Sequence, residues 1–173
     1  AFEVTNMPAH PVEIYMQLST ISPTPFACFY KNKDTYLLCA SPERYLQKKG
    51  KQLISQPIKG TIKRSLENDV DDKRQLEELQ NSSKDKSENV MVVDLVRNDL
   101  SKICEQGSVE VSELFGIYSY PQVHQMISTI TGKLANNTLF SEILEATFPM
   151  GSMTGAPKKR VMETIDTLEP TRR

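Results

Sequence analysis

The segment that most constrains the fold is residues 123–134, which are rich in Ile and Thr and predict one long β-strand. Two shorter apolar runs before it, residues 108–111 and 115–120, are also typical of strands. Residues 26–30 and 35–40 are apolar runs joined by a short polar turn, which is the pattern of a hairpin. A chain with several such strands needs a sheet whose apolar face is covered by other elements.

Helical patterns separate these groups of strands. They begin with a short amphipathic helix at Pro11, followed by an acidic, exposed helix over residues 67–80, a largely buried helix from Ser82 or Ser83 to about Cys104, a helix over residues 139–148, and a final helix opened by Pro157 and closed by Pro170. Residues 41–43 predict a single turn, and Gly50 the bend of a second hairpin. Antiparallel groups separated by helices predict an α+β fold, and no linker divides residues 1–173, so one domain is expected.

Composition restricts the kinds of partner. The 173 residues carry a formal net charge of −1 and are 38% hydrophobic, so no overall attraction to nucleic acid or to an anionic membrane is expected. No apolar run approaches the ~20 residues of a membrane span. The three cysteines Cys28, Cys39 and Cys104 have no metal-binding spacing and predict reduced, buried thiols in a cytoplasmic protein.

The stretch Pro57–Thr61, with the sequence PIKGT, seats Lys59 between a proline and a glycine. These two residues predict a tight turn, and a lysine held in such a turn can act as a nucleophile. The alternative is an ordinary loop in which Lys59 is a solvated charge.

Four other features offer candidate site residues with ordinary alternatives. The loop 151–158 places glycines and hydroxyls before a helix start, where backbone amides can bind a carboxylate, although the glycines can simply bend the chain. Glu88, at the start of an apolar helix, would need a cation or metal if it faced inward, and otherwise favours the helix dipole. A structural ion-pair network is the default for Asp94, Arg97, Asn98 and Asp99. His124 is either a site residue or a core-edge histidine.

Taken together, these segments resemble the chorismate-utilising enzymes. The matching stretches are SPER (41–44), PIKGT (57–61), ENVMVVDLVRNDL (88–100), GSVEV (107–111), VHQMISTITG (123–132) and GSMTGAPKKRVMETIDTLEP (151–170). The resemblance implies a four-layer α/β/β/α fold with two packed, mainly antiparallel sheets, of which this chain supplies a part. Anthranilate-forming members typically carry alanine at the position of Lys59, so the lysine favours the branch that aminates chorismate at C4.

The resemblance also implies roles for individual residues. Lys59 would attack C2 of chorismate to give a covalent intermediate, and Glu43 matches the family's general acid. Glu88 matches a glutamate that binds Mg²⁺, the implied cofactor. Gly60, Thr61, Ser152, Thr154 and His124 are the implied substrate contacts. Ammonia would come from a glutamine amidotransferase subunit or domain.

Two departures from the family pattern bear on these expectations. Gln125 stands where many members carry a histidine, which is associated with pyruvate elimination in the anthranilate-forming enzymes, and its presence agrees with a reaction that stops after amination. The family also continues beyond Pro170 through a substrate-binding arginine and a second metal-binding glutamate. The chain is therefore expected to be a C-terminally incomplete domain that is inactive alone. The alternatives are an anthranilate-forming or isochorismate-forming enzyme, or a non-catalytic chorismate-binding module.

Overall fold

The computed structural model describes residues 3–6 and 8–169. Contacts divide the chain into two compact units, Ala1–Arg44 and Tyr45–Arg173. The expectation that both belong to one domain stays a prediction.

The first unit contains one helix and one hairpin, as predicted. Helix α1 (Pro11–Ile21) begins with a proline, and the Val12 N–H donates to Nδ1 of the N-cap residue His10 at 3.3 Å. Strands β1 (Cys28–Asn32) and β2 (Thr35–Cys39) pair antiparallel. The Phe29 ring lies 5.5 Å from that of Tyr15 and 5.9 Å from that of Tyr36, so aromatic packing joins helix and hairpin.

The second unit is built on a five-stranded antiparallel sheet. Its strands are β3 (Arg44–Lys49), β4 (Gln52–Gln56), β5 (Ile58–Lys63), β6 (Glu110–Ser119) and β7 (Val123–Lys133). The predicted long strand is the central one, because β7 pairs with β4, β5 and β6. The α+β fold with two antiparallel sheets is therefore confirmed.

Three local predictions were wrong, and for two of them the reason is a β-bulge. Residues 108–111 and 115–120 do not form separate strands, because β6 continues through two register shifts and a left-handed Phe115 (φ 61°). The PIKGT stretch is not a tight loop, because β5 absorbs its extra residue between Ile58 and Thr61. Residues 41–43 form no turn and lead directly into β3.

The helices follow their capping signals closely. Asn68 caps α2 (Asp69–Asn81), and Ser82 caps α3 (Ser83–Ser101) through the Asp85 N–H. After α4 (Phe140–Thr147) come a 3₁₀ turn (Gly151–Met153) and α5 (Lys158–Leu168), for which Pro157 is the N-cap. The predicted stop at Pro170 lies outside the described residues.

The core of this unit lies between α3 and the sheet. Its buried members are Leu53, Val92, Val93, Val96, Leu100, Ile103, Cys104, Ile130, Leu134 and Ile143. The prediction that α3 is apolar and buried on most sides was wrong in part, because Val90 and Met91 are 40% and 54% exposed. One side of the helix is therefore free to carry site residues.

The described part of the chain contains no helix that is long and apolar enough to cross a membrane. All three cysteines are free thiols, but only Cys104 is buried as expected. Cys28 is exposed, and Cys39, which pairs with it across the hairpin, is half-buried.

Candidate functional site

The bulge in β5 places Lys59 and Gly60 beside the central strand. Thr61 pairs with Gln125 and Ile58 with Ile127, so the two residues between them share the space opposite Met126. Lys59 is half-buried, and among the described residues no hydrogen bond or ion pair engages its amine. The Lys59 amine is thus available for chemistry.

Gly60 makes this arrangement possible. Its φ of +96° is a conformation that side chains rarely adopt, and a Cβ at this position would lie 3.0 Å from Cβ of Asp85 and 3.1 Å from Cδ1 of Leu79. The absence of a side chain lets β5 approach the start of α3 closely.

We expect Gly60→Ala to destabilise the full-length protein by about 3 kcal/mol, because strain at φ and a clash with Asp85 add together. Gly50→Ala is the matched control, since Gly50 also has a positive φ (+61°) but no atom within 4 Å of the new Cβ. Its expected cost is about 1 kcal/mol. Urea unfolding measures both, and equal losses would contradict the close approach.

Helix α3 packs against two predicted site segments. The start of α3 meets Gly60 at Asp85, and a Cβ on Gly151 would lie 3.1 Å from Cβ of Leu95. Glu88 and Leu95 are seven residues, about two turns, apart and lie on one side of the helix. Glu88 is exposed. Glu88, the predicted metal ligand, therefore lies on α3 between Asp85, which Gly60 of PIKGT approaches, and Leu95, which Gly151 approaches.

The turn containing Ser152 and Thr154 is held mainly by its own backbone. Thr154 Oγ1 donates to the carbonyl oxygens of Met150 and Gly151, both at 3.3 Å. Ser152 Oγ is buried, and no partner for it is present among the described residues. A buried hydroxyl without a partner costs free energy, so Ser152 is a candidate for a ligand or water contact.

Lys158, which follows this turn, has a structural role that the sequence did not reveal. Its amine forms an ion pair with Asp99 of α3 and donates to the carbonyl oxygen of Thr147 at 3.3 Å. Asp99 also pairs with Lys102 at 3.0 Å. Asp94 and Arg97 form the predicted ion pair at 3.0 Å, whereas Asp99 is not part of that pair.

His124 lies in a polar network that joins β6, β7, α2 and the residue after β5. Its Nδ1 accepts from or donates to Ser119 Oγ at 2.7 Å, and its Nε2 lies 3.2 Å from Oδ1 of Asp72. Asp72 in turn accepts from Arg64, with Nη2 at 2.7 Å. Both ring nitrogens have protein partners and the residue is 1% exposed, which favours the core-histidine interpretation over substrate contact.

This network predicts a dependence of stability on pH. Hydrogen bonds from Arg64, aided by the Ser65 N–H, hold the pKa of Asp72 at about 2, below the 3.8 of an ordinary carboxyl. Because the folded pKa is the lower one, the stabilisation is complete above about pH 4 and is lost as the pH falls through about 2. In urea unfolding, the stability difference between the full-length protein and Asp72→Asn should shrink over that interval. A constant difference would contradict this assignment.

Gln125 offers a second buried polar atom without a partner. The residue is 7% exposed, and no donor to its Oε1 is found among the described residues. Its neighbour across the sheet, Tyr118, donates instead to Oε2 of Glu113 at 2.5 Å, and this bond raises the pKa of Tyr118. The free acceptor, Gln125 Oε1 on the central strand β7, therefore belongs to the residue that pairs with Thr61 of β5.

The described residues include no group of three or more His, Cys, Asp or Glu side chains that could hold a metal ion. A lone exposed carboxylate such as Glu88 nevertheless fits Mg²⁺, which commonly takes one or two protein carboxylates and completes its shell with substrate oxygens and water. Glu43, the predicted general acid, belongs to the first unit, where its N–H donates to Ser41 Oγ at 3.2 Å.

Comparison with known proteins identifies the family. The family model described as chorismate binding enzyme matches residues 2–173, and the chain therefore belongs to the chorismate binding enzymes. The resemblance inferred from the motifs is confirmed.

Individual relatives come from two branches. Aminodeoxychorismate synthase component 1 of Salmonella typhimurium is 44% identical over 161 residues, which is 93% of this chain and 35% of that protein. Anthranilate synthase alpha subunit 1 of Arabidopsis thaliana is 39% identical over 165 residues, 95% of this chain and 28% of that protein. The crystal structure of anthranilate synthase component I from Streptococcus pneumoniae superposes with a TM-score of 0.84 at 30% identity, over 98% of this chain and 37% of that one. The chain thus spans about a third of the length of the relatives it matches.

Proposed function

We propose that the protein containing this chain is an aminodeoxychorismate synthase component 1, which converts chorismate and ammonia to 4-amino-4-deoxychorismate. The product would feed para-aminobenzoate and folate biosynthesis. Ammonia would come from a glutamine amidotransferase subunit or domain, as the designation "component 1" in similar proteins suggests. The free thiols of Cys28, Cys39 and Cys104 support a reducing, cytoplasmic compartment.

The observation that carries this proposal is the environment of Lys59. Lys59 lies in a bulge beside Gly60 and is half-buried, and its amine forms no ion pair with a carboxylate among the described residues. By contrast, Lys158 in the matching stretch 151–170 forms an ion pair with Asp99. A structural lysine would be expected to have such a partner, whereas a nucleophile must keep its lone pair available.

The proposed reaction has two displacement steps. The Lys59 amine forms a bond to C2 of chorismate, the electron pairs of the two ring double bonds shift towards C4, and the C4 hydroxyl takes up a proton and leaves as water. Ammonia then bonds to C4, the electrons shift back, and the bond between C2 and the lysine nitrogen breaks. A proton lost from the attacking nitrogen in each step balances the one gained by the leaving group.

Hydroxide is a poor leaving group, so the first step needs a proton donor. Glu43 is the candidate for this role. Glu88 would hold Mg²⁺, which when bound neutralises and orients the ring carboxylate of the substrate. Gly60, Thr61, Ser152 and Thr154 would contact chorismate, and Gln125, whose carboxamide cannot take up a proton, would not act as a base for pyruvate elimination.

Product analysis tests the proposed function. The full-length protein is incubated with chorismate, ammonium and Mg²⁺, and the products are separated by chromatography with and without an added aminodeoxychorismate lyase. The expected result is para-aminobenzoate only when the lyase is present. Fluorescent anthranilate without lyase would place the protein in the anthranilate branch, isochorismate in the isochorismate branch, and unchanged chorismate would indicate a non-catalytic module.

A further inference from the structure

One buried serine connects the two segments that carry the proposed nucleophile and the proposed metal ligand, one through its hydroxyl and the other through its backbone N–H. Ser128, in the middle of β7, is 0% exposed, and its Oγ donates to Oδ1 of Asn89 in α3 at 2.5 Å. Its backbone N–H donates to the carbonyl oxygen of Pro57 at 3.3 Å. Asn89 directly follows Glu88, and Pro57 lies two residues before Lys59.

The same hydroxyl also fixes the bulge of β6. The N–H of Phe115, whose φ is 61°, donates to Ser128 Oγ at 3.1 Å. The Phe115 ring in turn lies 5.9 Å from the amine of Lys86, in the first turn of α3. Ser128 of β7 is therefore bonded to three neighbours: Asn89 in α3, Phe115 in β6 and Pro57 just before β5.

The orientation of Asn89 depends on this one contact. Asn89 is 1% exposed, and among the described residues its Nδ2 has no acceptor, so Ser128 is the partner that its side chain has there. A buried amide group without a hydrogen-bond partner costs free energy, so loss of the Ser128 bond would be costly for Asn89. Catalytic groups must also be held within about 0.5 Å of the productive geometry by the side chains behind them.

We propose that Ser128 and Asn89 are positioning residues that set the distance between the Lys59 amine and the Glu88 carboxylate. This inference rests on the proposed function. Neither residue touches substrate or metal in this scheme. They act through Pro57 on the strand of Lys59 and through the second turn of α3 on Glu88.

The first test compares Ser128→Ala with the wild type in the full-length protein. The Mg²⁺ concentration for half-maximal amination, and the Mg²⁺ dissociation constant from calorimetric titration, should each rise about tenfold. Thr147→Val is the matched control, because Thr147 is also a buried hydroxyl, bonded to the Tyr45 hydroxyl at 2.6 Å, but lies away from the start of α3. It should lower the melting temperature and leave both Mg²⁺ constants unchanged.

The double variant Ser128→Ala with Asn89→Leu separates positioning from simple stabilisation. It removes both partners, so no buried acceptor is left unpaired and the melting temperature should partly recover. The Mg²⁺ constants should stay raised, because the side-chain link between β7 and α3 is still missing. Recovery of the Mg²⁺ constants together with stability would overturn the inference, as would unchanged constants in Ser128→Ala.

These outcomes are distinguishable from failure of the proposed function. If the wild-type protein neither binds Mg²⁺ nor aminates chorismate, the proposed function is contradicted and the positioning role falls with it. If the wild type does both and the variants retain wild-type Mg²⁺ constants, only the positioning role is contradicted.

Discussion

Lys59→Ala in the full-length protein should reduce the rate of amination with ammonium as nitrogen source by roughly 10³-fold or more. The variant keeps the strand and its bulge, since the register shift depends on Gly60, but it has no amine to attack C2. Because Gly60, Thr61 and Glu88 remain, the concentration of chorismate for half-maximal rate should change little. A loss in kcat at nearly constant KM is the signature of a group used in the chemical step.

Lys63→Ala provides the matched control, because Lys63 is an exposed lysine on the same strand, paired with Val123. Its rate should stay within about twofold of the wild type, as expected for a surface substitution. If Lys59→Ala retained the wild-type rate, Lys59 would be a solvated charge and the assignment to the aminating branch would lose its main support.

Lys158→Met should destabilise the protein by about 3 kcal/mol, because it removes the partner of Asp99, a buried carboxylate of α3. The Asp99 side chain is 7% exposed and that of Lys158 16%, so little water can replace the lost cation. The ion pair joins the last helix to α3, and the turn at Gly151–Met153 that precedes this helix should loosen as well. Urea unfolding measures the loss.

Lys102→Met is the control for this pair, since Lys102 binds the same carboxylate but its side chain is 51% exposed. Its expected cost is below about 1 kcal/mol, the usual value for an exposed ion pair. Equal losses in the two variants would show that burial of Lys158 does not strengthen the interaction.

Local patterns in the sequence predicted most of the fold. The hairpin of the first unit, the cap at Ser82 and the central strand follow from turn residues, a capping residue and runs of Ile and Thr. These features depend on residues close together in the chain. The bulges near Gly60 and Phe115 could not be predicted, because they depend on how each strand pairs with β7.

The candidate site could be predicted only in part, because some of its supporting contacts join residues far apart in the chain. The motifs predicted Lys59, Glu88 and the 151–154 turn as parts of the site, and these roles stay predictions. Gly60, Glu88 and the turn all lie along α3. The Asp99–Lys158 pair spans 59 residues, and the Ser128–Asn89 bond spans 39. Contacts across such distances leave no periodic signal in the sequence, so these supporting residues could not be predicted from it.

The most direct test of the central proposal is the mass of the protein during the first step. The full-length protein is mixed with chorismate and Mg²⁺ without ammonium, quenched, digested and examined by mass spectrometry. The expected result is a peptide carrying chorismate minus one water on Lys59, lost when ammonium is added before quenching. Rapid formation of aminated product with no adduct on Lys59 at any time would contradict the account.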